Sequence, residues 1–164
     1  MAGLIVSDSS PIISLARVKK LHIIQGVYEN VVIPPEVYKE IVIRGKGKPG
    51  AEEVKKATWI SLQKIKNNAE VEKLKERFGS GESEAIVLAE ELKATLLVDE
   101  IAVIKEARSR GLKITSTHLI LEKAKKTCLI KSVKEELDNL IKSGFRTTPE
   151  LIRDSLHKVG EQTT

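Results

Sequence analysis

Short, continuously apolar runs that alternate with amphipathic segments are the feature that most constrains the fold of this chain. The clearest runs are residues 4–6, 31–33, 95–98 and 112–115, and segments with helical spacing of apolar residues separate them. Strands that are apolar throughout are typical of parallel sheets covered by helices on both faces. The sequence therefore predicts an α/β fold, a three-layer α/β/α sandwich around a parallel sheet with right-handed crossovers.

Helix signals between these runs predict where each crossover helix lies. Ser10 is predicted as an N-cap with Pro11 at the first helical position, and Pro35 is predicted to begin a helix that extends to about Arg44. Glycines at positions 79 and 81 predict a break before the next helix. Further helices are predicted near 68–78 and over 101–110, 117–126, 133–142 and 149–158.

Length and composition bound the class of protein. With 164 residues the chain is predicted to form one domain, 1–164, with a core over 1–130 and a C-terminal helical extension over 131–164. No apolar run is long enough to cross a membrane, and the N-terminal residues lack the pattern of a secretory signal, so a cytoplasmic location is expected.

Cys128 is the single cysteine, which excludes an internal disulfide, and its thiol is expected to be buried. The net charge of +5 permits a polyanionic partner, whereas 3% aromatic residues argue against recognition by base stacking.

Two aspartates directly follow apolar runs. Asp8 comes after residues 4–7 and Asp99 after residues 96–98. Because ligand sites of parallel sheets lie at the carboxyl ends of the strands, both carboxylates are expected at one edge of the sheet. The alternative is that each aspartate only caps the helix that follows it.

Two glutamates are further candidates for the same edge. Glu82 shares a helix face with Ala85, Ile86 and Ala89, so it is predicted to face the sheet, although a first-turn charge that favours the helix dipole is the alternative. Glu84 lies on a flanking face and carries less weight. Glu40 is predicted to stand at the margin of the apolar stripe of its own helix.

Four carboxylates in one cleft repel one another unless a cation compensates their charge. Oxygen ligands without histidine favour Mg²⁺ or Mn²⁺, and His22, His118 and His157 have no partner at metal-ligand spacing. Such a site suits the hydrolysis of phosphodiesters. The Ser9 hydroxyl is predicted to hold a metal-bound water or a phosphate oxygen, with a local turn hydrogen bond as the alternative.

Short motifs follow one another along most of the chain. They are LIVSDSSPII (4–13), VVIPPEVYKEIV (31–42), GESEAIVLA (81–89), LLVDE (96–100) and GLKITSTHLILEKAK (111–125). In these motifs the chain resembles the PIN-domain family, and within it the VapC-like branch. The resemblance implies a metal-dependent nuclease that acts on RNA, with Asp8, Glu40, Glu82 and Asp99 at the acidic positions and Glu100 as an additional, water-mediated ligand.

The chain departs from its relatives after the last strand. Many of them have Gly-Thr where this chain has Ser116-Thr117, and some place a further acid nearby. Here only hydroxyls are present, and they are predicted to cap the next helix or to contact phosphate. The extension contributes Arg146, Arg153 and Lys158, which either approach RNA or form a solvated helical face.

The sequence thus predicts a Mg²⁺- or Mn²⁺-dependent endoribonuclease, either the toxin of a toxin–antitoxin pair with a small antitoxin partner or an RNA-processing enzyme. A nucleic-acid-binding or regulatory PIN module with little activity is the alternative. A phosphotransfer enzyme with Asp8 as nucleophile is disfavoured, because position 10 is Ser and not a second acid. The resemblance also predicts a homodimer.

Overall fold

A five-stranded parallel sheet forms the centre of the protein, confirming the predicted fold class. The computed structural model describes residues 3–162. The strand order is β3-β2-β1-β4-β5. The strands are β1 (Ile5–Ser7), β2 (Val31–Ile33), β3 (Ile60–Leu62), β4 (Thr95–Leu97) and β5 (Ile114–Thr115).

Helices connect the strands and continue beyond the last one. The first half of the chain contains α1 (Ser9–Arg17), α2 (His22–Tyr28), α3 (Pro35–Tyr38), α4 (Ala51–Lys56) and α5 (Asn68–Leu74). The second half contains α6 (Ser80–Leu92), α7 (Ile101–Ser109), α8 (Thr117–Lys126), α9 (Val133–Lys142) and α10 (Pro149–Lys158). A π-helical turn over Lys39–Ile43 continues α3.

Alternate strand residues serve two separate hydrophobic cores. Ile5 and Leu97 pack in one core, with side chains from α1, α2, α8, α9 and α10. Val6 and Leu96 pack in the other, with α5, α6 and α7. Side chains of a strand point alternately to opposite faces, so fully apolar strands can fill both cores. The three layers follow directly from this arrangement.

The C-terminal extension belongs to the first of these cores. Val133, Leu137 and Leu140 of α9 and Leu156 of α10 are almost completely buried there. Residues 131–162 therefore pack onto the body of the fold. Across residues 3–162, none of the helices has the length and apolar character needed to span a bilayer.

Several local predictions were wrong. The first helix begins at Ser9 with Asp8 in the N-cap position, two residues earlier than predicted. Helix α2 was not predicted, and Gly81 lies inside α6 because the helix begins at Ser80. Cys128 is exposed rather than buried, since it lies in the turn after α8 with a φ of 64°.

Candidate active site

Asp8 lies where the order of the strands changes direction. The chain runs outward from β1 through β2 to β3 on one side, whereas β4 and β5 lie on the other side. Asp8 follows β1, and its backbone N–H donates to the Leu97 carbonyl of β4 at 3.1 Å. Its side chain makes no capping hydrogen bond to α1, and the residue is only 5% exposed. A capping role therefore does not explain this buried carboxylate.

Asp99 lies at the end of the neighbouring strand and is held by α8. Its Oδ1 accepts the backbone N–H of Thr117 at 2.8 Å, and its Oδ2 accepts the Thr117 hydroxyl at 2.6 Å. Thr117 is fully buried and is the first residue of α8. Asp99 thus bonds to the helix after β5 and not to the helix that follows it in the chain.

Glu82 has both of the roles predicted from the sequence, a charge at the start of a helix and a carboxylate in the cleft. Its Oε1 accepts the backbone N–H of Gly79 at 3.0 Å, which satisfies a free donor at the start of α6. The same side chain lines the cleft that contains Asp8 and Asp99. One oxygen of Glu82 therefore caps the start of α6, and the carboxylate also lines the cleft.

Glu40 reaches the site from the π-helical turn. Its Oε2 accepts the Ser9 hydroxyl at 2.7 Å, so the start of α1 and this turn are directly connected. A Cβ atom placed on Gly81 would lie only 2.2 Å from Glu40 Oε1. A larger residue at position 81 would therefore displace the Glu40 carboxylate, which occupies the space of a side chain.

These elements enclose an open cleft of about 490 Å³. Asp8, Glu82, Asp99 and Glu100 form its acidic wall. The other lining residues come from α1, from the loop between α9 and α10, and from the starts of α7 and α10. The polar and charged ones among them are Ser10, Ser14, Arg17, Arg146, Thr147 and Thr148.

The acidic wall carries uncompensated charge. Burial, with the charges of Glu82, Glu40 and Asp99, raises the pKa of Asp8 to about 7. Burial also raises the pKa of Asp99, against the lowering effect of its two bonds from Thr117. Within residues 3–162 no salt bridge involves the carboxylates of the site. A cation would relieve the repulsion that these groups experience.

The donors fit a hydrated hard cation better than an ion enclosed by side chains. In the described part of the chain, no three His, Cys, Asp or Glu side chains are arranged to hold one ion together. Mg²⁺ usually keeps several waters and binds one or two carboxylates. Asp8 and Asp99 provide two such carboxylates at adjacent strand ends, and both are oxygen donors.

The structure brings most of the predicted site residues together. Glu100 is exposed at the mouth of the cleft, and the Ser116 hydroxyl caps α8 by accepting the N–H of Leu119 at 3.3 Å. Glu84 lies apart from the cleft, where its Oε1 accepts the N–H of Glu36 at 2.9 Å. Contact of Ser9, Ser116 and Thr117 with a metal-bound water or phosphate stays a prediction.

Gly81 and Arg17 are residues of the site that the sequence patterns did not predict. Gly81 was interpreted as part of a break, and only its contact with Glu40 shows its importance. Arg17 had a usable signal, because Ser10, Ser14 and Arg17 are spaced four and three residues apart and so lie on one face of α1.

The fold and cleft define a parallel α/β protein with an acidic site at the switch in strand order. A family model described as a PIN domain matches residues 4–161, so the chain belongs to the PIN-domain family. The PIN domain is generally a nuclease fold whose members bind nucleic acids.

Comparison with solved structures finds a PilT N-terminus domain protein from the hyperthermophilic archaeon Sulfolobus solfataricus P2. The sequence identity is 16% and the TM-score 0.48, over 88% of this chain and 97% of that one. Comparison with curated proteins gives no match.

Proposed function

We propose that this protein is a Mg²⁺- or Mn²⁺-dependent endoribonuclease that hydrolyses RNA phosphodiester bonds. The observation that carries the proposal is the pair Asp8, which is buried, and Asp99, which is partly buried, at the ends of adjacent parallel strands without a basic partner in residues 3–162. Burying two such carboxylates is costly unless a cation or a proton neutralises them. Membership of a family of nucleases supports the same conclusion.

Each acidic residue has a role in this proposal. Asp8 and Asp99 would hold the ion, with Glu40 and Glu82 beside them and Glu100 acting through water. The bound ion would activate water and offset the charge that develops on the phosphate. Thr117 fixes both oxygens of Asp99, and Ser9 orients Glu40. Gly79 holds Glu82 Oε1, which leaves Oε2 to accept a hydrogen bond from the attacking water.

The proposal is tested by cleavage of a mixed RNA pool with Mn²⁺. We expect Asp8→Asn and Asp99→Asn each to abolish cleavage while circular dichroism shows an intact fold. Asp138→Asn is the matched control, because Asp138 is exposed and pairs with Lys134 on α9. A wild-type rate for either site variant would overturn the assignment. If the wild-type protein does not cleave RNA in the presence of any divalent metal, the nucleic-acid-binding module is the better description.

We extend the proposal to a homodimer, and to a small antitoxin protein as a partner. The support for both is the resemblance of the chain to the VapC-like branch. Light scattering at micromolar concentration tests the dimer, and a monomeric mass would reject it. Growth arrest on expression, relieved by a small protein encoded next to this chain, tests the toxin role.

A further inference from the structure

Two arginines line the cleft together with its carboxylates and form no salt bridge with them. Arg44, Arg77, Arg110 and Arg153 all have glutamate partners. Arg17 and Arg146 have no carboxylate partner among the described residues, although Asp8, Glu82, Asp99 and Glu100 line the same cleft. Both guanidinium groups can therefore pair with an anionic ligand that enters the cleft.

Arg17 and Arg146 belong to segments that the fold brings together. Arg17 is the last residue of α1, the helix that begins directly after Asp8. Its Nη1 lies 3.6 Å from the position that a Cβ atom would take on Gly144, in the loop between α9 and α10. Arg146 is two residues further along this loop. One arginine thus comes from the core and the other from the C-terminal extension.

Residues on both sides of Arg146 are anchored to α8. The Thr147 hydroxyl lies 2.6 Å from His118 Nε2, and the Phe145 ring lies 5.9 Å from the His118 ring. The backbone N–H of Phe145 donates to the Leu140 carbonyl at 2.9 Å. These contacts fix the loop beside the cleft, so Arg146 is presented from an ordered segment.

We propose that Arg17 and Arg146 bind the phosphate groups of an RNA strand in the cleft that also contains the acidic residues. This rests on the proposed function and identifies residues that position its substrate. Guanidinium groups match phosphate oxygens geometrically and keep their charge at all relevant pH values. A strand in this cleft would present some phosphate oxygens to the arginines and others to the acidic site. Contacts to phosphate position the strand without reading its bases.

The test measures the binding of a labelled single-stranded RNA in EDTA, at several salt concentrations, by fluorescence anisotropy. We expect Arg17→Ala/Arg146→Ala to bind at least about tenfold more weakly than wild type at low salt. The slope of log K against log salt should become shallower by about 1.4, since each phosphate contact on a single strand contributes about 0.7. Arg17→Lys/Arg146→Lys should recover part of the affinity, because the charge is kept.

Arg108→Ala is the matched control. Arg108 is exposed on α7, has no carboxylate partner in residues 3–162 and lies outside the cleft. We expect this variant to bind as wild type does. The proposal is overturned if wild type binds RNA no more tightly than the double alanine variant, or if Arg108→Ala loses as much affinity. Because the assay contains no metal, a failure of cleavage does not affect its outcome.

Discussion

Thr117 binds Asp99 through two hydrogen bonds, with its N–H on Oδ1 and its hydroxyl on Oδ2. Each carboxylate oxygen therefore has one fixed donor and keeps lone pairs for a further partner. Thr117 makes no contact with the cleft surface itself, but it determines how Asp99 is oriented. Hydrogen bonds of this kind orient metal ligands and tune their affinity.

Thr117→Val removes the hydroxyl donor and leaves the N–H bond. We expect a decrease of about 10–100-fold in metal affinity or in the cleavage rate, the usual effect of losing such a bond. Titration with Mn²⁺ in the cleavage assay provides both values. Thr115→Val is the control, because the buried Thr115 hydroxyl has no hydrogen-bond partner among the described residues. The control should retain activity and unfold no more easily than wild type. Equal activities of the two variants would contradict the role given to Thr117.

Glu82→Gln separates the structural role of this residue from its catalytic role. The amide oxygen of Gln can still accept the Gly79 N–H, so the free energy of unfolding should change by only about 0.3–1 kcal/mol, the value of a charge at a helix start. Single-turnover cleavage should nevertheless slow by orders of magnitude. Glu84→Gln is the matched control, since it alters the same turn of α6 outside the cleft and can still accept the Glu36 N–H. Equal cleavage rates for both variants would remove Glu82 from the site.

Asp8→Asn should stabilise the metal-free protein most at high pH. The pKa of the Asp8 carboxyl is about 7 in the folded protein, compared with an ordinary value of 3.8. Ionisation of Asp8 therefore lowers the free energy of unfolding, and this loss grows as pH rises from about 4 to 7. We expect the gain from Asn to be larger at pH 8 than at pH 5, by on the order of 2 kcal/mol. Urea unfolding in EDTA at the two pH values measures this difference. A gain that does not depend on pH would show that Asp8 is not buried among acids.

Gly81→Ala should reduce activity with little effect on stability. The new methyl group would overlap Glu40 Oε1, and the flexible end of that side chain must move away and give up its contact with Ser9. Alanine favours the helix by up to about 1 kcal/mol, which offsets the cost of this movement. Cleavage should fall while the melting temperature stays close to that of wild type. Gly111→Ala is the control, because Gly111 lies outside the site. Its φ of 77° disfavours alanine, so this variant should lose stability and keep its activity.

His118 should make the free energy of unfolding depend on pH, because its ring bonds to Thr147 of the loop between α9 and α10 and to Ser155 of α10. The Ser155 hydroxyl donates to Glu122 at 2.6 Å, so it accepts from His118 Nδ1–H, and the neutral ring accepts from Thr147 at Nε2. Burial and the charge of Lys158 lower the pKa of His118.

Its stabilising contribution is therefore complete above about pH 6.5 and is lost as the pH falls toward its folded pKa. The difference in unfolding free energy between wild type and His118→Gln should be larger at pH 7.5 than at pH 5.5. The opposite trend would contradict the neutral state of the ring.

Sequence patterns predicted the layers of this fold because β1, β2 and β4 carry buried apolar residues on both faces. They also predicted that Asp8 and Asp99 lie together, since residues that follow parallel strands meet at one edge of the sheet. Helix α2 escaped prediction because HIIQGVY contains Gly26 and has no capping residue, so tertiary burial of Ile23 and Ile24 determines it.

The details of the site depend on contacts between residues far apart in the chain. Ser9 and Glu40 are 31 positions apart, and Asp99 and Thr117 are 18 apart. No periodicity within one helix can indicate such pairs. The approach of Glu40 to Gly81 and the position of Arg146 likewise follow from packing between elements.

The π-helical turn over Lys39–Ile43 constrains the length of this segment more strictly than its composition. In a π-helical turn the hydrogen bonds span one residue more than in an α-helix, and the Arg44 N–H indeed donates to the Lys39 carbonyl. Removing one residue between Pro35 and Glu40 would rotate the carboxylate by about 100° around the helix axis, away from Ser9 and Gly81. The exposed residues of the turn, Lys39 and Ile43, can vary freely. Homologous chains should therefore differ here by substitution and not by insertion or deletion.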